Sequence, residues 1–170
     1  MKHSMLSNCK ACYVCVNHNI MNKNEPNVQA STPSVGAVVS HAARLLTQAL
    51  AEAQRTLSLA PAQYRILVEL WQEEHLTQHD LVRRLDIEQP TVGATISRME
   101  RDRLIKRQPH PHDGRSQVIC LTALARQLKV PATDAAHRIN DDVLSDFSDA
   151  DKAQLFELLG RIINKLRKNA

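Results

Sequence analysis

The segment that most constrains this chain is Leu76–Thr122, LTQHDLVRRLDIEQPTVGATISRMERDRLIKRQPHPHDGRSQVICLT. Two short runs with helical spacing flank a polar turn, and a basic ribbon follows. Thr77 precedes the first run as a capping residue, and Gln78–Leu85 then places Leu81, Val82 and Leu85 on one face. Asp86-Ile87 forms the turn. Such turns often carry Gly, but Asp tolerates the left-handed conformation better than most residues. The second run opens at Glu88-Gln89-Pro90, where an early Pro is harmless. Val92, Ile96 and Met99, at i, i+4 and i+7, should anchor it inward. Thr91, Ala94, Thr95 and Arg98 are then expected to share the outward face.

A strand over 104–108 is expected next, then a loop from Pro109 to Ser116 and a returning strand over 117–121. Pro109 and Pro111 stiffen the ascending limb, Gly114 is expected to let the tip turn, and Asp113 can hold the loop by bonding nearby amides or Arg115. Two helices joined by a tight turn and followed by a hairpin make a winged helix-turn-helix, which docks on DNA. The outward helix face starts short and uncharged and becomes cationic, which suits entry into a major groove N-terminus first. Gln89 can read adenine, Arg98 can reach guanine or a phosphate, and Thr91 and Thr95 each offer a hydroxyl and a methyl. Arg115 at the tip is expected in the minor groove. From Arg98 to Arg115 the cations are Arg98, Arg101, Arg103, Lys106, Arg107 and Arg115, against Glu100, Asp102 and Asp113. That local excess favours phosphate. The expected contact set is Thr77, Gln89, Pro90, Thr91, Ala94, Thr95, Arg98, Arg107, Asp113, Gly114, Arg115 and Ser116.

The flanks read as helices. With 43% hydrophobic residues, only 3% aromatic and 4 Gly in 170 residues, the chain favours helices over an all-β sandwich. Ser31-Thr32-Pro33 signals the start of an amphipathic helix ending near Leu57, and Ala60-Pro61 starts another. Tyr64 and Trp71 in the latter read as core. Thr122 caps a later helix, with a kink or break expected near Lys129 because of Pro131. Ser148-Asp149-Ala150-Asp151 resembles a capping box ahead of a closing helix that turns Leu155, Leu158, Leu159, Ile162, Ile163 and Leu166 inward. The first and last helices carry more apolar surface than the central unit can cover, so a two-fold homodimer is expected. The domain reading is a flexible or disordered tail over residues 1–32, a dimerisation helix over 33–58, the winged helix-turn-helix over 59–122 and C-terminal dimerisation helices over 123–170.

In the tail, Cys9, Cys12, Cys15 and His18 are spaced as metal or cluster ligands could be, but they lack the second, distant pair such sites draw on. The reading is an unstructured tail with incidental cysteines, with a metal site or a thiol redox switch as alternatives, and Met21 offers a second start. His110 and His112 read as exposed loop histidines, and Cys120 as a small buried residue. No metal or cofactor is expected. No run approaches the roughly 18 apolar residues of a membrane span, so the expected location is cytoplasmic. The net charge of +4 points mildly toward polyanions. No Ser/His/Asp set, phosphate loop or paired-carboxylate motif is evident, so an enzyme is not expected.

Over 76–107 and the HDGRSQVICLT wing the sequence resembles the MarR family of transcriptional regulators, and the IEQPT start of the second helix is most similar to its SlyA branch. In layout the resemblance covers residues 34–168. It implies a mainly α fold with a small β-wing, terminal helices at a dimer interface, and tuning by small anionic or phenolic ligands or by thiol oxidation. The family's wing commonly reads Asp-Arg-Arg or Asp-x-Arg, and Asp113-Gly114-Arg115 lacks the middle cation. SlyA-like helices tend to carry Arg where this chain has Ala94. Cys9, Cys12 and Cys15 precede the first helix and do not match the reactive cysteine of peroxide-sensing members. The expected function is a dimeric DNA-binding regulator, a repressor on a palindromic operator, modulated by a ligand or by oxidation. The default ligand site is the cleft between winged domain and dimerising helices. The alternative is a winged module that binds protein without reading DNA sequence.

Overall fold

A computed structural model describes residues 34–168. The tail reading, the Cys9–His18 cluster and the Ser31-Thr32-Pro33 start signal lie outside them. The contacts divide the chain between Leu46 and Thr47. Helix α1, Val35–Ala53, runs across that point and buries none of its side chains fully. It ends four residues before the expected Leu57. A single 3₁₀ turn, Arg55–Leu57, follows, and Ser58 adopts the left-handed conformation (φ 52°). Gln54, wholly buried between the two, donates from Nε2 to the Ala132 carbonyl at 3.2 Å.

Helix α2, Pro61–Gln72, starts with Pro at its first position, and Gln63 Oε1 accepts from the Ala60 amide at 3.1 Å. The opposite end of the Gln63 amide donates to Asp102 at 2.7 Å, which ties this helix start to the end of a later helix. Leu76–Thr77 forms a two-residue strand, β1, that the sequence reading did not anticipate. It is followed by α3 (Gln78–Leu85), α4 (Gln89–Arg101), β2 (Ile105–His110) and β3 (Asp113–Leu121). The sheet is antiparallel in the order β1-β3-β2, with Leu76 opposite Ile119 and Ile105 opposite Leu121. The expected two-stranded ribbon is therefore three-stranded at its base. Both faces of β3 are covered there, so Val118, Ile119, Cys120 and Leu121 are all buried, and Cys120 does not alternate with an exposed neighbour.

Leu67, Leu70, Leu81, Ile96 and Met99 form the centre of the core, with Leu59, Leu76, Leu104 and Ile105 around them. Burying each such side chain stabilises the fold by roughly 1.5–3 kcal/mol relative to exposure. Tyr64 and Trp71 lie against this cluster with ring centroids 6.0 Å apart in an edge-to-face arrangement. Their reading as packing residues agrees with this placement.

Thr122 caps α5 (Ala123–Gln127), accepting from the Ala125 amide at 3.2 Å. Trp71 Nε1 donates to the Ala125 carbonyl at 3.0 Å, and Arg126 makes a bidentate pair with Glu74 at 3.1 and 2.8 Å. These contacts fasten α5 to the winged unit. Helix α6, Lys129–Val143, begins after the expected break, with Pro131 in its first turn where the missing amide is harmless. Ser148 and Asp151 make the anticipated reciprocal cap of α7, Asp149–Arg167. In the chain, α7 buries no side chain fully, and Phe156, Leu158, Ile162, Ile163 and Leu166 are exposed rather than turned into a core.

Candidate nucleic-acid interface

The start of α4 is set by the helix and turn before it. Thr77 Oγ1 accepts from the Asp80 amide at 3.1 Å, while Asp80 Oδ2 accepts from the Thr77 amide at 3.0 Å and from its hydroxyl at 2.6 Å. These bonds hold the Asp80 carboxyl below the ordinary carboxylate range. The Thr77 hydroxyl proton is thus committed to Asp80, and Thr77 fixes the start of α3. Asp86 closes α3 in the left-handed conformation (φ 51°, ψ 44°), and Glu88 precedes α4. At the crossing of the two helices a Cβ on Gly93 would stand 3.1 Å from the Gln78 side chain. Glycine there leaves the Gln78 amide room, a contact the sequence reading did not single out.

Along α4, Gln89, Pro90, Thr91, Ala94 and Arg98 are exposed. Thr95 is not. It is 2% exposed, and its hydroxyl donates to the Thr91 carbonyl at 2.9 Å. Val92, Thr95, Ile96 and Met99 complete an i, i+3, i+4, i+7 stripe, so Thr95 belongs to the packed side. Ser97 is exposed instead, a residue missed because its small polar side chain gives no sequence signal. Arg107 reaches back from β2: its Nε lies 3.2 Å from Glu100 and its Nη2 donates to Ser97 at 3.4 Å. The wing is thereby hooked to the solvent side of α4, and the Arg107 charge is partly neutralised.

The wing also differs from expectation at its tip. β2 continues through Pro109 to His110, and the turn is only Pro111-His112. Pro109 pairs with Gln117 but His110 pairs with Asp113, so Gly114, Arg115 and Ser116 bulge out of the ladder. Asp113 Oδ1 accepts from the Arg115 amide at 3.0 Å and the Ser116 hydroxyl donates to the Asp113 carbonyl at 3.3 Å. The Arg115 amide and the Ser116 hydroxyl keep the Asp113 carboxyl below its usual range. Gly114 has no positive φ and its Cβ position is open, so it does not supply the turn. The bulge presents Arg115 exposed.

A polar cleft of about 770 Å³ lies between the start of α3 and this bulge, lined by Thr77, Gln78, His79 and Asp80 on one side and Arg107, His110 and residues 113–117 on the other. The chain thus brings Thr77, Arg107, Asp113, Gly114, Arg115 and Ser116 to one concavity. His110 and His112 stack edge-to-face at 6.1 Å, and among the described residues no group of three or more His, Cys, Asp or Glu is arranged for a metal.

A MarR family model matches residues 57–116. An organic hydroperoxide resistance transcriptional regulator of Bacillus subtilis is 32% identical over 112 residues, covering 66% of this chain and 75% of that protein. The chain belongs to the MarR family. Solved structures agree in fold. A MarR regulator from Methanosarcina mazei superposes with a TM-score of 0.75 at 19% identity, over 82% of this chain and 100% of that one. A MarR family regulator from Listeria monocytogenes, solved in complex with a 26mer DNA, gives 0.75 at 20% identity over 81% and 92%. Membership makes the protein a DNA-binding transcriptional regulator, and the mainly helical fold with a small antiparallel sheet is that of the family. Among the described residues no helix is long and apolar enough to cross a membrane.

Proposed function

We propose that this MarR-family protein represses transcription as a homodimer on a palindromic operator, with its affinity set by a small anionic or phenolic effector. The observation that carries the reading of DNA is the joint exposure of the first turns of α4 and of the bulged Arg115 in one winged unit. In this reading Gln89, Thr91, Ala94 and Arg98, with Pro90 shaping the entry, face base edges in the major groove. Arg115, held by the bonds of Asp113 to its amide and to Ser116 and flanked by Gly114, enters the minor groove, and the capped start of α3 and Arg107 lie along the phosphates. The likeness to a regulator solved on DNA supports this arrangement.

Dimerisation is supported by the apolar side chains left open: Val35, Val39, Leu45 and Leu46 on α1, and Phe156, Leu158, Ile162, Ile163 and Leu166 on α7. A second copy covers such faces at no cost in buried polar groups. Two recognition helices would then meet successive major grooves about 34–36 Å apart. An effector that binds better to a helix spacing incompatible with DNA weakens binding by linkage. Cys120 is buried and its thiol is pushed up by desolvation, so it is a poor oxidation sensor.

The test is selection of bound duplexes from a random pool, followed by binding of the Arg115→Ala variant to the selected site at physiological salt. A palindrome and a loss of at least about tenfold in affinity are expected from two lost minor-groove contacts. Wild-type affinity in that variant would remove the wing from the interface.

A further inference from the structure

The turn that introduces the recognition helix is held from a place far away in sequence. Arg167, in the last turn of α7, donates to Asp86 Oδ2 from Nε at 2.9 Å and from Nη2 at 2.6 Å. Asp86 is the left-handed residue that ends α3, three positions before Gln89 begins α4. Its backbone is already determined by its amide bonding to the Val82 carbonyl, so the carboxylate is free to take an external partner. Both donors address one oxygen, which fixes the guanidinium against the turn in one direction.

Helix α7 spans 19 residues, roughly 28 Å at 1.5 Å per residue. Along that length none of its side chains is fully buried in the chain, and Leu166, next to Arg167, is 64% exposed. The helix thus meets the DNA-reading unit through its tip while its apolar side stands open. A rigid rod touching the base of the recognition helix transmits its own position to that helix. We propose that the Arg167–Asp86 pair positions α4: it sets the orientation of the recognition helix relative to α7, and so the half-site spacing the protein accepts. This rests on the proposed reading of DNA by a dimer. Arg167 is a positioning residue in this scheme and contacts no base.

The pair is more than half exposed on both sides, so its effect is modest and is best read as a coupling. Asp86→Asn removes the charge and keeps a residue tolerant of positive φ, and Arg167→Gln removes the partner without shortening the side chain greatly. The full-length wild type, both single variants and the double variant are compared in two ways. Amide exchange over residues 86–92 is followed without DNA. Affinity is measured for the selected operator and for versions with one base pair added or removed between half-sites.

Each single variant is expected to speed exchange in that segment and to lower operator affinity by roughly 3- to 10-fold, from one lost exposed pair in each protomer. The altered spacings should lose less, so the preference for the selected spacing narrows. The double variant should be no worse than the worse single. Additive losses, or an unchanged spacing preference with unchanged exchange, would overturn the proposal. Failure of the wild type to select any duplex would instead refute the DNA reading, while the exchange measurements still decide the pair.

Discussion

Replacing Gly114 by Arg should tighten operator binding without disturbing the fold. The family resemblance implies a wing that reads Asp-Arg-Arg or Asp-x-Arg, and this chain has Gly at the middle position. The structure gives Gly114 no conformational duty: its φ is not positive, no atom lies within 4 Å of its Cβ position, and the bonds that shape the bulge run from Asp113 to Arg115 and Ser116. An Arg there therefore enters open space, and loss of glycine's freedom in the unfolded chain adds about 0.4–1 kcal/mol of stability. On DNA each protomer gains one phosphate-directed cation. Two added contacts steepen the dependence of log K on log salt by about 1.8 and raise affinity by up to about 1.8 decades between 1 M and 0.1 M salt. That is about 2.5 kcal/mol for the dimer. Titration of the selected operator at four or five salt concentrations, with thermal melts beside it, measures both terms. A slope matching the wild type would show that the bulge does not approach phosphates. A melting temperature lowered by more than about 4 °C, near 1 kcal/mol for a domain of this size, would show that the site is not open.

Thr95→Val removes a buried hydroxyl that donates to the Thr91 carbonyl and accepts only a long 3.5 Å contact from Arg98 Nη2, so operator affinity should change less than about twofold and stability by about 1 kcal/mol, whereas Ala94→Arg should shift the preferred bases in a selection experiment. Asp80 titrates below the ordinary carboxylate range because the Thr77 hydroxyl and amide bond its charged form. Its stabilisation is therefore complete above the unfolded value and is lost as pH falls through the folded one. Urea melts from pH 7 to pH 3 should show Asp80→Asn costing about 1 kcal/mol at pH 7 and flattening the acid side of the profile; an identical acid limb would refute the cap assignment. Ile162→Glu, on the open side of α7, should turn the dimer into a monomer in sedimentation experiments at micromolar concentration while the winged unit keeps its far-ultraviolet signature. A dimer that survives this change would place the interface elsewhere.

Residues whose environment is local are legible in the sequence. Thr77 and Asp80, Ser148 and Asp151, Ala60-Pro61 and the left-handed Asp86 each act within one turn of the chain, and their roles follow from hydrogen-bonding chemistry and φ preference alone. The pairing of Val92, Ile96 and Met99 toward the core was equally plain from helical period. Thr95 was misplaced because a stripe defined by two spacings admits two edges, and only the position of α3 against α4 selects which edge is covered. β1 escaped notice because two residues carry no alternation, and it forms only because β3 offers its open side.

The amino-acid order by itself determined the family, the order of the helices and of the two wing strands, and the cationic wing, since each depends on neighbours within a few residues or on motif chemistry. Tertiary structure decided what lies between distant segments. It covered both faces of β3 around Cys120, hooked Arg107 onto Glu100 and Ser97, turned residues 114–116 of the expected loop into a bulge, and joined Arg167 to a turn 81 positions earlier. The physical reason is the range of the forces. Capping and periodicity act along the chain, while burial and pairing depend on which surfaces the fold brings together, and no local pattern encodes a partner that far away.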